Sequence, residues 1–381
     1  MQVFKIDKDI DKDKILKNIA STAQGNKIMK DKMDCHLFYI QDLRTPAANI
    51  LKQDALSIGA ELAVEKDTIL CKDKYTNALL IVNEKQRKIL SQKEKIQPFG
   101  LKEVAQVLAE YKPHNPTETK IMGVINANND SFFEGSRFQG IEAIKSIEDM
   151  IEDGADIIDI GGVSSRPGSV EVPEEEELDR IKGIVDAIYE QKFYDKVQFS
   201  LDSYAPKVID YALSRGFSIV NDITGLENDE VCELVKSYQV QVVIMHMQNR
   251  PLTMQDNPSY KHIISDVENF FMQRISKAKK FGIEDIVLDV GIGFGKNLEH
   301  NLMLIKHMGH FQKFNLPLLI GASRKSLIDK MISCDVSQRL PGTLVLHLKA
   351  IEEGASIVRC HDVKEHKQAL VVHKYLHETL I

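Results

Sequence analysis

The sequence predicts an α/β fold: a (β/α)8 TIM barrel preceded by a small N-terminal α+β domain. From Lys120 onward, eight short apolar runs alternate with eight amphipathic stretches of helical length. Eight strand–helix units over about 260 residues match a closed barrel in number and size. A doubly wound open sheet is the structural alternative. The sequence carries no dinucleotide fingerprint, and its absence favours the barrel.

The first 112 residues lack this alternation and predict a separate domain. Short apolar runs at His36–Ile40 and Ala78–Val82 predict strands, and the apolar spacing at Asp54–Val64 and Leu101–Tyr111 predicts helices. We find no catalytic motif in this part of the sequence. A polar segment with two prolines then predicts a linker. The predicted division is an N-terminal domain of residues 1–112, a linker of residues 113–119 and a barrel of residues 120–381.

Within the barrel, strands and helices are predicted in strict alternation. The predicted strands are Ile121–Asn126, Ala155–Gly161, Val197–Asp202, Ser218–Asp222, Gln241–His246, Ile286–Gly291, Pro317–Ser323 and Ser356–Asp362. The predicted helices are Gly140–Glu152, Glu174–Gln191, Pro206–Ser214, Asp229–Tyr238, Lys261–Phe281, Glu299–His310, Thr343–Glu353 and Lys364–Leu380. A helix after every strand is the arrangement that parallel strands require.

Composition argues against several classes of function. The 381 residues include 49 Lys and Arg and 56 Asp and Glu, a formal charge of −7, which does not favour a nucleic-acid surface. The five cysteines are far apart and form no CxxC pair, so neither a zinc site nor a disulfide framework is expected. The sequence shows neither a signal peptide nor an apolar run of membrane-spanning length. We therefore expect a cytoplasmic protein with no membrane partner.

Most of the predicted strands end in polar or charged residues. The set is Asn126, Asp159, Asp202, Asn221, Asp222, His246, Asp289, Ser323, Arg324, Lys325, Arg359, His361 and Asp362. Any one of them could be a turn former or a helix cap. The carboxyl ends of barrel strands, however, converge on one mouth, where the active site lies. A succession of polar strand ends therefore predicts a binding site there.

Chemistry divides these residues into two groups. Asp202, Asn221 and Asp289 can exchange hydrogen bonds with a flat, polar heterocycle. Lys325, Arg324, Arg359 and His361 follow the last two strands, where barrels often bind phosphate. The sequence thus predicts a mouth that holds a polar ring on one side and an anion on the other.

Three further motifs have readings of their own. The segment Gly291–Lys296 fits neither glycine-rich nucleotide motif, and we interpret it as a tight turn that brings Phe294 to the ligand. His246 has no second histidine at metal-ligand spacing, so we expect it to support the residues that bind the ligand or to be structural. The acidic run Glu174–Glu177 opens a helix, where negative charge complements the helix dipole.

Together these motifs resemble the dihydropteroate synthases, from about Lys120 to the C-terminus. The residues that carry the resemblance are Ile121–Asn126 with Asp130–Phe132, Gly154–Gly162 with Arg166–Gly168, Asp202, Asn221–Asp222, Met245–Met247, Asp289 with Gly291–Lys296, Gly321 with Ser323–Lys325, and Arg359 with His361–Val363. Eight such motifs in the family's order are highly specific. Residues 1–112 lie outside the resemblance.

The resemblance implies a transferase of folate biosynthesis with two small-molecule substrates. It would join 7,8-dihydropterin-6-ylmethyl diphosphate to p-aminobenzoate, giving 7,8-dihydropteroate and diphosphate. The implied pterin-binding residues are Asp202, Asn221, Met245, Asp289 and Lys325. The implied diphosphate-binding residues are Asn126, Ser165, Arg359 and His361, with Asn126 also a ligand of Mg2+. The implied p-aminobenzoate-binding residues are Ser165, Arg166, Pro167, Phe294 and Ser323. The implied catalytic residues are Asn126, Asp202, Lys325, Arg359 and His361. The resemblance also implies a homodimer and a possible target of sulfonamides.

The sequence departs from the family pattern in the first two loops and after the sixth strand. The departures are Asn128–Asn129, Val163, Ser165 and Val290. Two alternatives therefore stay open: a corrinoid-type, pterin-dependent methyltransferase, and a non-catalytic relative with a binding or regulatory role. For residues 1–112, dimerisation, packing on the barrel bottom and a lost second activity are all open.

Overall fold

The computed structural model describes residues 1, 3, 6, 11–111, 118–127, 136–164 and 168–379, with backbone alone for residues 136–141. It divides into two compact units, one of Met1–Pro113 with His373–Ile381 and one of His114–Val372. The sequence analysis assigns residues 120–381 to the barrel domain, whereas this division groups His373 and the residues after it with the N-terminal ones. Residues 112–117, and with them most of the predicted linker, lie outside the described residues.

The N-terminal unit contains a three-stranded antiparallel sheet of order β1–β3–β2. Its strands are β1 (His36–Arg44), β2 (Glu61–Val64) and β3 (Tyr75–Val82), and its helices are α1 (Lys12–Asn18), α2 (Ala23–Met33), α3 (Thr45–Leu56), α4 (Glu84–Lys93) and α5 (Leu101–Glu110). Alternate residues of β3 are buried, and they join α3 and α5 in one apolar core. The sheet and helices confirm an α+β domain.

The helix predicted at Asp54–Val64 is wrong over most of its length. Helix α3 ends at Leu56, and the backbone of Gly59 has a φ of +73°. A positive φ is favourable for glycine and stops a helix. The chain then turns into β2, where Leu62 is buried and pairs with Leu80 of β3. The spacing of apolar residues over this short segment fits both a helix and a strand, and the turn at Gly59 ends the helix.

The second unit is a closed barrel of eight parallel strands, as predicted. The strands are β4 (Lys120–Asn126), β5 (Ile157–Gly161), β6 (Gln198–Asp202), β7 (Ile219–Asp222), β8 (Gln241–Met245), β9 (Ile286–Asp289), β10 (Leu318–Ile320) and β11 (Ile357–Cys360). The helices are α6 (Ser136–Glu152), α7 (Glu174–Glu190), α8 (Pro206–Leu213), α9 (Asp229–Tyr238), α10 (Ile263–Lys280), α11 (Leu298–Lys306), α12 (Ser326–Met331), α13 (Leu340–Glu352) and α14 (Val363–Glu378). The described strands run in chain order, and β11 closes against β4.

One apolar layer fills the interior of the barrel. It consists of Met122, Ile157, Ile219, Val243, Val287, Leu319 and Ile357, all buried, one from each of seven strands. Because side chains alternate along a strand, residues two positions further on point to the same interior. We call this apolar layer the floor of the barrel. The next layer of inward-pointing side chains forms the base of the barrel mouth. No helix in the described part of the chain is long and apolar enough to cross a membrane.

Candidate active site

The layer above the apolar floor is polar on most strands. Two residues beyond the seven floor positions stand Val124, Asp159, Asn221, Met245, Asp289, Gly321 and Arg359, of which four are polar or charged. A second row is defined by strand pairing: Asn126 pairs with Gly161, Gly161 with Asp202, and Asp202 with Asn221. The barrel register therefore brings most of the strand-end residues predicted from the sequence to one mouth.

Arg359 is the centre of a buried charge cluster. Its Nε donates to Asp159 at 2.7 Å and its Nη2 donates to Asp202, also at 2.7 Å. The same Oδ2 atom of Asp159 accepts a hydrogen bond from Asn221 at 3.1 Å. The other carboxylate oxygen of Asp159 is buried and has no hydrogen-bond partner in the part of the chain that is described. The cluster thus offers an unused acceptor to a ligand with N–H groups.

Burial sets the charges of this cluster. It raises the pKa of Asp202 to about 7; Arg359 opposes this shift, and the neighbouring Asp159 adds to it. Burial also raises the pKa of Asp289, against a hydrogen bond from the Gly291 N–H at 2.8 Å. Asp159 and Asp202 outweigh the effect of burial on Arg359 and raise its pKa. The guanidinium is therefore positively charged, and the Asp202 carboxyl keeps its proton to a higher pH than an ordinary aspartate.

Lys325 lies beside the glycine-rich loop. Its Nζ donates to the carbonyl of Ile292 and lies 4.6 Å from the centre of the Phe294 ring. Burial lowers the pKa of Lys325 to about 8, and the nearby Asp289 opposes this shift. The loop after β9 and the loop after β10 thus bring an ammonium group and an aromatic ring together, and the ligand roles predicted for Lys325 and Phe294 stay predictions.

Lys296 builds the glycine-rich loop, a role that the sequence analysis missed. This lysine is 1% exposed, and its Nζ donates to the carbonyls of His246, Gly291 and Phe294 at 3.1, 2.8 and 2.8 Å. Burial lowers its pKa well below the usual lysine value. The chain turns tightly around it, since Gly291 has a φ of +65° and an added Cβ there would lie 2.0 Å from the His246 carbonyl oxygen. Lys296 is thus structural, and the loop is the tight turn that was predicted.

Ser323 and His361 form a second contact at the mouth. Ser323 Oγ lies 3.0 Å from His361 Nδ1, and the His361 N–H donates to the same oxygen at 3.3 Å. Arg324, which the sequence places with them in the anion group, is used differently. Its guanidinium makes two contacts with Asp362, at 2.9 and 2.7 Å, and donates to two backbone carbonyls. These contacts give Arg324 a structural role, and its predicted contact with the anion stays a prediction.

His246 and Glu177 complete the inner surroundings. The His246 ring stacks edge-on against Phe270 at 4.9 Å, and burial lowers its pKa well below the usual histidine value. Glu177, which the sequence analysis treats as a helix-dipole residue, is buried, and burial raises its pKa to about 6. It lines a small cavity that also contains Asp202, Ser203 and Tyr204. Helical position alone did not show that Glu177 points inward.

Several predicted residues cannot be placed. Ser165, Arg166 and Pro167, together with the first-loop residues 128–135, lie outside the described residues. In the parts of the chain that are described, no group of three or more His, Cys, Asp or Glu side chains could hold a metal ion.

Comparison with known proteins identifies the family of this chain. A family model described as pterin binding enzyme matches residues 122–361. A relative from Helicobacter pylori, named bifunctional dihydropteroate synthase/dihydropteroate reductase, is 42% identical over 96% of this chain and 97% of its own length. The dihydropteroate synthase of Escherichia coli is 42% identical over 66% of this chain and 89% of its own length. The chain belongs to the dihydropteroate synthase family.

A solved structure supports the same assignment. The Yersinia pestis dihydropteroate synthase, in a sulfonamide drug complex, superposes with a TM-score of 0.65 at 36% identity, covering 70% of this chain and 96% of that one. The chain is therefore a transferase of folate biosynthesis that condenses 7,8-dihydropterin-6-ylmethyl diphosphate with p-aminobenzoate. The alignment with the H. pylori relative also includes most of residues 1–112, which the motifs alone placed outside the resemblance.

The sequence analysis gave Asp159 no ligand role, although its position carries a signal. It is a carboxylate inside an otherwise apolar strand, two residues after the buried Ile157. A buried carboxylate at such a position requires a partner, and the structure shows that Arg359 and Asn221 supply it.

Proposed function

We propose that the pterin binds in the polar layer, against Asp202, Asn221 and Asp289, with Met245 packing on the ring and Lys325 reaching it. The buried Asp159 oxygen without a partner supports adding Asp159 to this set, because a pterin edge presents several N–H donors. Met245 is buried and pairs with Asp289 across β8 and β9, which supports an apolar surface beside the acids. This layer of acceptors above an apolar floor is the observation that carries the proposal.

The diphosphate is proposed to bind Arg359, His361, Ser165 and Asn126 on the β11–β4 side of the mouth. Strands β11 and β4 are paired, so Arg359 and Asn126 stand on neighbouring strands. Arg359 would have to share its guanidinium between the anion and the two carboxylates that it now contacts. Such sharing supports tight binding of pterin and diphosphate as one ligand, since a single cation then contacts both parts.

The residues at this side fit Mg2+ bound together with diphosphate. An added Cβ at Gly161 would lie 3.8 Å from the Asn126 amide oxygen, so glycine leaves that oxygen accessible. Mg2+ commonly takes one or two protein oxygens and completes its shell with phosphate oxygens and water. Asn126 would be the protein ligand, and the bound ion would neutralise charge on the leaving diphosphate.

The aryl amine is proposed to approach between Phe294, Ser323 and the loop of Ser165, Arg166 and Pro167. Phe294 already lies against the Lys325 ammonium, which would leave one ring face for p-aminobenzoate. In the reaction, the C–O bond from the pterin methylene to diphosphate breaks, the C–N bond forms, diphosphate leaves with the bonding electron pair, and the amine loses one proton to solvent. Arg359 and His361 stabilise the leaving anion, Asp202 and Asp289 hold the ring, and orientation of the two substrates supplies much of the remaining acceleration.

Diphosphate release tests the assignment. The full chain should release diphosphate only when both substrates and Mg2+ are present. A non-catalytic relative would release none, and a corrinoid-type methyltransferase would instead transfer a methyl group to a corrinoid. Omission of p-aminobenzoate is the matched control.

We also propose that the chain reduces dihydropteroate, because the full-length H. pylori relative carries that activity in its name and aligns over 97% of its length. The reduction adds a hydride and a proton to one C=N bond and needs a hydride donor such as a reduced nicotinamide. A chain beginning at Thr117 should keep synthase activity and lose the reductase. If the shortened chain folds but releases no diphosphate, the N-terminal residues contribute to the synthase site; if it keeps both activities, the reductase does not need them.

A homodimer is proposed as well. Helix α14 exposes Val371, Val372, Tyr375 and Leu376, which at this spacing form one apolar stripe. Apolar stripes of this kind are typical of contacts between copies. Light scattering should give twice the chain mass, and Tyr375→Glu with Leu376→Glu should give the monomer. A monomeric wild-type chain would contradict the proposal.

A further inference from the structure

Two buried histidines lie next to the loop that follows β10. His347 on α13 and His366 on α14 are 1% and 2% exposed, and the proposed reaction gives neither a role. Their rings form a chain of three contacts. The Ala322 N–H donates to His347 Nε2 at 3.0 Å, His347 Nδ1 lies 2.9 Å from His366 Nε2, and His366 Nδ1 lies 2.6 Å from the Asp362 carbonyl oxygen. All four ring nitrogens are therefore engaged.

The two ends of this chain fix the direction of every hydrogen bond in it. A backbone N–H can only donate, and a carbonyl can only accept. His347 must therefore carry its proton on Nδ1 and donate to His366, and His366 must carry its proton on Nδ1 and donate to Asp362. A proton added to either ring would put a hydrogen between His347 and the Ala322 N–H, or between the two rings. The arrangement exists only while both imidazoles are neutral.

Both ends of this series of hydrogen bonds lie beside residues of the proposed active site. Ala322 immediately precedes Ser323, and Lys325 follows two residues later; Asp362 immediately follows His361. The carboxylate of Asp362 also holds Arg324 by two contacts. The two imidazoles therefore connect the loop after β10 with the loop after β11.

The loop after β10 depends on such outside contacts. Arg324 has a φ of +51°, a left-handed conformation that costs free energy for any residue other than glycine. Its N–H donates to Thr343 Oγ1 at 2.9 Å. Thr343 lies one helical turn before His347 on α13, so one face of this helix supplies two acceptors to the loop. The loop does not hold its shape by local sequence preference.

We propose that His347, oriented by His366, is a positioning residue of the synthase reaction: it holds the backbone of the loop after β10 so that Ser323 and Lys325 meet the substrates. This inference rests on the roles proposed above for Ser323 and Lys325. His347 touches no substrate in it and acts through the Ala322 N–H alone.

The surroundings keep the pair neutral. Burial lowers the pKa of both histidines, that of His347 well below its usual value. His347 faces His366 and the Lys325 ammonium, which both act against a positive charge. His366 faces Asp362 and Glu365, which favour a positive charge on its ring, but burial has the larger effect and lowers its pKa. Acid should therefore disrupt this series of hydrogen bonds only at a pH below the usual range of histidine pKa values.

Kinetics of paired variants test the inference. His347→Leu keeps the volume but removes the acceptor, whereas His347→Gln keeps an oxygen that can accept from Ala322. We expect His347→Leu to lower kcat about tenfold or more with little change in either KM, because small misplacements of reacting groups reduce turnover strongly. His347→Gln should recover most of the loss. His373→Leu, on the same helix as His366, is the matched control and should have no effect.

Two outcomes would overturn the inference: a folded His347→Leu chain with normal kcat, or equal losses in the Leu and Gln variants. Lys325→Ala distinguishes a failure of this inference from a failure of the proposed function. If the role proposed for Lys325 were wrong, Lys325→Ala would also have a normal kcat. If His347→Leu does not fold, the wild-type chain still decides the matter. Histidine-selective 15N spectra should show His347 and His366 neutral with the proton on Nδ1, and an Nε2–H tautomer at His347 would refute the proposed chain.

Discussion

The Nη2 atom of Arg359 lies 2.7 Å from Oδ2 of Asp202, although β11 and β6 are separated by β4 and β5 around the barrel. The contact reaches across the mouth, and the guanidinium also contacts Asp159. Before any substrate binds, the residues proposed for the anion and those proposed for the ring already form one hydrogen-bonded unit. Four predictions follow from this coupling and from the loops around it.

Pterin affinity should depend on the ionisation of Asp202. Burial raises the pKa of its carboxyl to about 7, and only the ionised form accepts hydrogen bonds with both oxygens. Binding should therefore release a proton below pH 7, and affinity should rise as the pH increases from about 6 to about 8, by up to about tenfold. Titration calorimetry across this range measures the effect. Asp202→Asn should bind more weakly and show a flat profile; a flat profile in the wild-type chain would contradict the assignment.

Removal of Asp289 should weaken pterin binding. The residue ends β9 at the mouth, and one of its oxygens accepts from the Gly291 N–H. Asp289→Ala should cost about 2–4 kcal/mol of pterin binding, because a ligand donor loses its charged partner. Calorimetry gives the value. Asp285→Ala, just before the same strand, is the control and should leave affinity unchanged; equal affinity in the two variants would remove Asp289 from the pterin site.

Arg359 should distinguish ligands with and without diphosphate. Arg359→Ala should weaken binding of the pterin diphosphate by about 2–4 kcal/mol, since a charge-assisted contact to an anion is lost. The loss for a pterin without diphosphate should be much smaller. Arg359→Lys keeps a positive charge beside Asp202, so it should retain pterin binding and recover only part of the diphosphate affinity. Equal losses for both ligands in Arg359→Ala would show that Arg359 serves the ring site and not the anion.

Lys296 should stabilise the barrel mouth without taking part in the reaction. Lys296→Met has a similar length but leaves three carbonyls without their donor. We expect a loss of about 2–4 kcal/mol in the free energy of unfolding, because buried acceptors would lose their hydrogen bonds. Urea denaturation measures it. The exposed Lys279→Met on α10 is the control, and a Lys296→Met chain as stable as this control would contradict the structural role.

The sequence predicted the barrel because its strands and helices differ in period and alternate in order. An apolar run of about five residues followed by an amphipathic stretch, repeated eight times, predicts a closed (β/α)8 barrel. The same order also predicted that strand-end residues such as Asp202, Asn221 and Asp289 would share a mouth. These conclusions need only the direction of each strand, which chain order supplies.

Partner choice could not be predicted, since it depends on distances between residues far apart in the chain. Arg324 and Arg359 look equivalent in sequence, yet Arg324 is occupied by Asp362 and Arg359 by Asp159 and Asp202. Asp159 and Glu177 are buried in the structure; the local pattern placed Asp159 at a strand end without a ligand role and gave Glu177 only a helix-dipole role. The helix predicted at Asp54–Val64 failed because the turn at Gly59 ends the helix and the chain then pairs with β3.

The sequence by itself thus determined the architecture and the neighbourhood of the site, because both follow from periodicity and strand order. Only the tertiary structure decided which charges neutralise each other, which lysine is structural and which histidines must stay neutral. Those properties come from burial and from contacts between distant segments, such as the 2.9 Å contact of His347 with His366. Burial strengthens electrostatic interactions and makes every unpaired polar atom costly, so the packed barrel and not the local sequence assigns each side chain its role.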